Sequence, residues 1–183
     1  MKPHRETICN LKSLMAIALV AAAEALCQEK QLPERRIVVS IPDRKLALME
    51  DGRVVKIYST AVGAPSSPTP SGTFTILQRI SNPTWYGPDR KVVGPGKNNP
   101  VGTRWMGLSR KGYGIHGTNN PRSIGHSASH GCVRMRNRDV EDLFARVAVG
   151  DVVELHGERD AEVTRIFGGT ETAANWMSAG SAQ

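Results

Sequence analysis

The chain has 183 residues, with 39% apolar and 5% aromatic residues, 18 glycines and 11 prolines. This length suits one domain of ordinary size, and the composition favours short strands and turns over a helical bundle. The net charge of +7 predicts attraction to polyanions. Because the basic residues form no block and aromatic residues are few, we expect no nucleic-acid partner.

The first 27 residues have the pattern of a secretory signal peptide. Three basic residues precede an apolar run at 14–23, and small residues follow it. The run is too short to cross a bilayer comfortably, which takes about 20 residues. We therefore predict a signal peptide at 1–27, a polar linker at 28–35, a periplasmic location and no stable membrane span after cleavage. The alternative reading of the run is a buried core helix.

The rest of the chain predicts a mainly β domain over residues 36–157. Apolar runs separated by turn residues predict strands, at 37–41, 45–49, 54–60, 73–78, 105–108, 114–116 and 151–155. Asp51 and Gly52 form a hairpin signal between the second and third runs. We expect packed antiparallel and mixed sheets.

One notable helix is predicted at 138–147. Val140, Leu143, Phe144 and Val147 recur there at helical spacing. Asn137 precedes them as a plausible N-cap. The residues from 168 to 183 are small and polar, and we predict that they are disordered.

The stretch 81–104 is irregular, and its Asn, Gly and Pro residues exclude long regular elements. A loop of this length in a compact domain is often functional. Trp85, Tyr86 and Trp105 are candidates to line a groove beside it, or they cover the edge of the core. The sequence leaves these two alternatives open.

The chemistry-bearing residues are concentrated in the segment 115–135. If cleavage follows Cys27, Cys132 is the only cysteine of the mature chain and forms no internal disulfide. An ordinary thiol has a pKa of about 8.5, so nucleophilic attack at neutral pH needs a nearby imidazole or positive field. His116 and His130 are the candidates, and His130 shares a face with Cys132 if the segment is extended.

The backbone amides of Gly131 and Cys132 are natural donors to an oxyanion. Each side chain also has a structural alternative: His130 could hold the loop through backbone hydrogen bonds, and Cys132 could fill the core. His126, in a polar loop, is expected to be solvated.

The segment resembles the active-site signature of the L,D-transpeptidase catalytic domain family, also called YkuD-like. That signature has an early histidine and then Ser/Thr-His-Gly-Cys, an apolar residue and Arg or Asn. Here His116 is followed by SHGCVR at 129–134. The segments TPSGTF at 69–74, NPVGTRWMGL at 99–108 and IHGT at 115–118 resemble family segments too. The resemblance covers roughly residues 36–155.

The resemblance implies a β-sandwich of the L,D-transpeptidase type, without cofactor or metal. Cys132 would attack a peptidoglycan stem tetrapeptide at the carbonyl of its third residue, with loss of D-Ala. The acceptor would be a diaminopimelate amine, a lysine of an outer-membrane lipoprotein, or water. His116 matches the family base, and a backbone carbonyl would orient it because Gly117 stands where family members often have Ser.

The remaining site residues have supporting roles by the same resemblance. His130 and Gly131 would support catalysis, and Ser129 and Arg134 would bind substrate, with Arg134 gripping a carboxylate. The structural alternative for Arg134 is an ion pair with Asp139 or Glu141 in the helix.

Two other functions remain open at this point. His116, His130 and Cys132 could bind zinc in a cell-wall hydrolase, although the His-x-Cys spacing is unusual and no acidic general base lies in the motif. A non-catalytic wall-binding module could retain the fold, but it would be expected to lack the cysteine or the histidine.

Overall fold

The computed structural model describes residues 34–168. The predicted signal peptide, most of the predicted linker and the predicted tail from residue 169 onward lie outside the described residues. Within 34–168, no helix is both long enough and apolar enough to cross a bilayer.

The described residues are mainly β, as predicted. They form twelve strands, two α-helices and two short 3₁₀ helices at Pro88–Arg90 and Pro121–Ser123. The strands are β1 (Arg35–Ser40), β2 (Lys45–Glu50), β3 (Arg53–Ser59), β4 (Val62–Gly63), β5 (Gly72–Ser81), β6 (Trp85–Tyr86), β7 (Val92–Val93), β8 (Arg104–Leu108), β9 (Gly114–His116), β10 (Ser127–Ser129), β11 (Val133–Arg134) and β12 (Val152–His156). The α-helices are α1 (Asn137–Arg146) and α2 (Ala161–Phe167).

Eight strands form one mixed sheet in the order β11-β9-β8-β5-β12-β1-β2-β3. The pairs β1–β12 and β9–β11 are parallel, and the other neighbours are antiparallel. Alternate residues of each strand point to the same face of this sheet, and the buried apolar residues among them form the main core there. Residues of both halves of the sheet meet on that face in a single core with α1, for example Ile37, Leu46, Met106, Ile115 and Leu143.

The opposite face is covered at one end by α2. Val163, Ile166 and Phe167 of α2 pack against side chains of β1 and β2 that point away from the main core. Asp160 caps this helix by accepting a hydrogen bond from the amide of Val163 at 2.8 Å. The sequence prediction of one notable helix omitted α2, which lies beyond the predicted domain end at residue 157.

Two predicted boundaries differ from the structure. β1 begins at Arg35, which was assigned to the linker. The prediction of Asn137 as the N-cap of the first helix is wrong, because Arg136 occupies the cap position and Asn137 is the first helical residue. The side chain of Asn137 accepts hydrogen bonds from loop amides outside the helix.

The irregular stretch between β5 and β8 contains the small hairpin β6–β7. Asn99 is fully buried and holds this stretch together. Its amide group donates to the carbonyl oxygens of Pro83 at 2.6 Å and Gly94 at 3.1 Å. Its own carbonyl oxygen accepts from the amide of Val101 at 2.9 Å. The long loop is therefore a folded structure tied together by one side chain.

Candidate active site

The register of two short parallel strands places the candidate cysteine. In β11 and β9, Val133 lies beside Ile115 and Arg134 lies beside His116. Val133 and Ile115 are buried in the core. Because side chains alternate along a strand, Arg134 and His116 lie on the face opposite the core, and Cys132 precedes β11 on that same face.

A tight turn immediately before β11 exposes the thiol to the cavity. Ser129 is buried, and its hydroxyl accepts from the amide of Gly131 at 3.1 Å and donates to the carbonyl of Cys132 at 2.6 Å. Gly131 has φ +106°, where a side chain would be strained. A Cβ there would also lie 2.8 Å from the ring of Tyr113. Ser129 therefore holds the turn that presents Cys132, and the Gly131 amide is engaged within that turn.

His116 is buried, and its hydrogen bond determines which ring nitrogen carries the proton. Its Nδ1 lies 2.6 Å from the carbonyl oxygen of Gly117. A carbonyl only accepts hydrogen bonds, so Nδ1 carries the proton and Nε2 is the basic atom of the neutral ring. The backbone carbonyl that the sequence predicted as the partner of this histidine is thus that of Gly117.

Trp105 forms one wall around the imidazole. It is the cross-strand neighbour of His116 in β8, and the two rings stack with centroids 5.5 Å apart and an interplanar angle of 26°. A Cβ on Gly114, two residues before His116, would lie 2.8 Å from the Trp105 ring. The missing side chain at Gly114 therefore leaves the space that the indole fills.

Burial keeps both partners of the site neutral at rest. Desolvation lowers the pKa of His116 to about 4, an effect that the hydrogen bond to Gly117 opposes and the charge of Arg134 reinforces. Burial also raises the pKa of the Cys132 thiol, while the Gly114 amide and the charge of Arg134 lower it. At pH 7 the cavity is then lined by a neutral thiol and a neutral imidazole, and the thiol donates weakly to the carbonyl of Gly112 at 3.6 Å.

Both residues open onto one cavity of about 690 Å³. Its lining near the cysteine includes Arg134, Ser129 and His130. The rest of the lining includes Trp85, Tyr86, Trp105, Pro100 and Val101. Of the two alternatives for the tryptophans and Tyr86, the groove wall is therefore confirmed. The cavity is large enough for a peptide-sized ligand.

Arg134 is available to a ligand. Among residues 34–168 it makes no ion pair, because Asp139 pairs instead with Arg136 and Arg138. Its guanidinium donates to the carbonyl of Ala128 at 3.2 Å. Burial lowers its pKa somewhat, which reflects a charge only partly compensated by its surroundings.

The structure also shows the positions of His130 and His126. His130 is exposed and lines the cavity. His126 is exposed, as expected for a solvated residue, and its carbonyl accepts from the amide of Val62. Within the described part of the chain, the ligand atoms of His116, His130 and Cys132 do not come together within 4.8 Å of one another as a metal site requires. The residues that do so are Glu154, His156 and Glu162, at the other end of the sheet.

Sequence reasoning missed three contributors to the site. These are the stacking of Trp105 on His116, the space left for the indole by the missing side chain of Gly114, and the contacts of Asn137 with the loop after β9. All three depend on strand register. The glycine pairs around the site, such as Gly114 and Gly117 on either side of His116, were the available signal, because close backbone approach favours glycine.

A cysteine and a neutral histidine that line one cavity are the groups that a cysteine nucleophile and its base require. The model of the L,D-transpeptidase catalytic domain family matches residues 34–155. The chain therefore belongs to the L,D-transpeptidase catalytic domain family.

Relatives and solved structures agree with this assignment. The YkuD protein of Bacillus licheniformis is 44% identical over 120 residues, which are 66% of this chain and 64% of that protein. The YqjB protein of Bacillus subtilis is 38% identical over 128 residues, or 67% and 72% of the two chains. The NMR structure of the catalytic domain of the Enterococcus faecium L,D-transpeptidase has a TM-score of 0.56 at 26% identity, covering 69% of this chain and 99% of that one. The chain thus spans just under two thirds of the length of the first of these relatives.

Proposed function

We propose that this protein is a peptidoglycan L,D-transpeptidase that forms a thioester on Cys132. The observation that carries the proposal is that the Cys132 thiol and a neutral His116, with its proton on Nδ1, line one cavity. Membership of the family supports the same reaction. The absence of a shared metal-binding geometry for His116, His130 and Cys132 within residues 34–168 weighs against the zinc hydrolase alternative. The presence of both reactive residues weighs against a non-catalytic module.

The first half-reaction forms the acyl-enzyme. As the sulfur attacks the carbonyl carbon of the third residue of a stem tetrapeptide, Nε2 of His116 takes the thiol proton. A neutral pair suits this step, because the proton is transferred only as the C–S bond forms. The tetrahedral intermediate then collapses, the bond to the terminal D-Ala breaks, and His116 returns its proton to the leaving amine.

Two polar groups stabilise this half-reaction. The Cys132 amide is the candidate oxyanion donor, since it donates to no acceptor within residues 34–168 whereas the Gly131 amide is engaged by Ser129. The guanidinium of Arg134, which forms no ion pair within residues 34–168, binds a substrate carboxylate. Ser129 contributes mainly by holding the turn.

The second half-reaction transfers the acyl group to an acceptor. An amine of a neighbouring diaminopimelate gives a cross-link between third residues, a lipoprotein lysine gives anchoring, and water gives carboxypeptidase activity. In each case His116 accepts the proton of the nucleophile as its bond to the acyl carbon forms, and returns that proton to the sulfur of Cys132 as the C–S bond breaks. The reaction takes place in the periplasm, to which residues 1–27 would direct the chain.

Covalent labelling of Cys132 tests the proposal. Purified protein is incubated with a carbapenem or with a disaccharide-tetrapeptide, and its intact mass is followed. We expect one adduct per chain, and loss of D-Ala from the tetrapeptide. Cys132→Ala should abolish both, while the control Ser109→Ala, outside the cavity, should react like the unaltered protein. Adduct formation that survives Cys132→Ala would contradict the assignment, and stoichiometric zinc whose loss abolishes activity would favour the hydrolase.

A further inference from the structure

We propose that Asn137, the first residue of α1, is a positioning residue that holds His116 in the tautomer and orientation required to deprotonate Cys132. The inference rests on the proposed role of His116 as the base. It assigns a function to a side chain that neither caps its helix nor lines the cavity.

A single peptide unit links Asn137 to His116. The carbonyl of Gly117 accepts from His116 Nδ1 at 2.6 Å, and the amide of the next residue, Thr118, donates to Asn137 Oδ1 at 3.1 Å. In a planar trans peptide the C=O and N–H groups point in opposite directions. The hydrogen bond to Asn137 therefore determines the direction in which the Gly117 carbonyl points.

The asparagine oxygen is tightly enclosed. A Cβ on either Gly117 or Gly102 would lie 2.2 Å from Asn137 Oδ1. The amide of Thr103, which follows Gly102, donates to the same oxygen at 3.4 Å. Asn137 therefore joins the end of β9 to the segment entering β8, the two strands that carry His116 and Trp105.

Glycine at position 117 makes this support necessary. Because glycine has wide backbone freedom, the peptide unit after it can rotate at little cost unless both of its ends are held. If it rotates, Nδ1 of His116 loses its acceptor and the tautomer with the proton on Nε2 becomes accessible. In that tautomer Nε2, the atom proposed to take the thiol proton, carries a hydrogen and has no lone pair to accept it.

The oxygen and the nitrogen of the Asn137 side chain differ in their hydrogen bonds, and this difference allows a conservative substitution to be designed. Oδ1 accepts two hydrogen bonds, whereas Nδ2 donates to no acceptor within residues 34–168. Asn137→Asp keeps the accepting oxygen and removes no observed hydrogen bond. Asn137→Ala removes the accepting oxygen. Asn120→Ala is a matched control, since that exposed side chain makes no hydrogen bond within the same residues.

The experiment measures two quantities for these variants at pH 7. Carbapenem acylation of Cys132 is followed by intact mass, and the tautomer of His116 is read from ¹⁵N–¹H correlations of its ring. We expect Asn137→Ala to slow acylation by about 10- to 100-fold, by analogy with the loss found when the outer partners of metal-binding histidines are removed. The ring should then show mixed tautomers. Asn137→Asp should retain the rate to within about threefold and keep the proton on Nδ1, and Asn120→Ala should match the unaltered protein.

The results separate this inference from the proposed function. If the unaltered protein reacts but Asn137→Ala reacts equally fast, the positioning role is wrong and the proposed function stands. A slow Asn137→Ala variant with an unchanged tautomer would also overturn it, because the loss would then be structural. If Asn137→Ala does not fold, Asn137→Asp decides: a large loss of rate with the acceptor retained contradicts the inference. If no variant and not even the unaltered protein forms an adduct, the proposed function fails, and an unchanged tautomer in Asn137→Ala rejects the positioning role separately.

Discussion

The two ends of the sheet use the face opposite the core differently. At the β1–β2 end, α2 covers this face with an apolar contact that joins Val38, Ala47, Met49, Val163, Ile166 and Phe167. At the β9–β11 end, the same face carries His116, Cys132 and Arg134 and borders the cavity. An apolar cover stabilises the fold, while a face bordered by a loop keeps polar groups accessible to a ligand.

A histidine at each end shows how the surroundings determine the role. His156, beside α2, lies 2.6 Å from a carboxylate oxygen of Asp160 and 3.8 Å from one of Glu154, in a network that includes Arg36 and Glu162. Within residues 34–168, the ring of His116 has a backbone carbonyl, that of Gly117, as its only hydrogen-bond partner. Carboxylates surround the ring of His156, whereas burial next to a neutral partner leaves His116 uncharged and able to accept a proton.

The largest expected effect comes from replacing the imidazole at the open end. His116→Gln should slow acylation of Cys132 by about 100-fold or more, because it removes the proposed general base. His156→Gln is the matched variant at the covered end and should leave the rate within about twofold. Stopped-flow acylation rates at pH 7 compare the two, and equal losses would contradict the division of roles.

The acid dependence of acylation should reveal the lowered pKa of His116. The neutral ring is the active form, so the rate is fully present above the pKa and is lost as pH falls through about 4. At pH 5 about nine tenths of the rate should remain, roughly 30-fold more than an ordinary histidine of pKa 6.5 would allow. Acylation rates from pH 3.5 to 8 measure this. Half-loss near pH 6.5 would show that the ring is not desolvated.

A tenfold effect is expected from loosening the loop that borders the cavity. Asn99→Ala removes the hydrogen bonds that tie this loop together, and a net loss of about 1.4 kcal/mol corresponds to a tenfold change. We expect kcat/KM for a tetrapeptide to fall by about this factor, mainly through KM. Asn98→Ala, at the exposed neighbouring position, is the control. An unchanged KM in Asn99→Ala would mean that the loop does not contact substrate.

The smallest effect on activity is expected at the covered end. Val163→Ala removes two buried methyl groups from the contact between α2 and the sheet and should lower the free energy of unfolding by about 1–2 kcal/mol. Acylation by the folded protein should change by less than about twofold. Urea unfolding and acylation rates measure the two quantities. A large loss of rate would mean that the two ends of the sheet are coupled.

The sequence predicted most of the strands because β-branched and apolar runs between turn residues report local preference. It failed for α2, whose seven residues are too few to be stable alone and which depends on the apolar side chains of β1 and β2 for its stability. It also misassigned Asn137, because a polar residue before an apolar helical pattern suggests a cap, whereas its oxygen is engaged by amides about 19 and 34 residues earlier in the chain.

The sequence by itself determined which groups are proposed to react: a cysteine within Ser-His-Gly-Cys, an earlier histidine and a following arginine. The chemical capacity of these groups follows from their residue types and from their short spacings in the chain, and both can be read without a structure. The tertiary structure alone decided that His116 is neutral, which nitrogen carries its proton, and that Trp105 and the Gly117–Thr118 peptide hold it. These properties depend on burial and on strand register, which bring together groups that are distant in the chain.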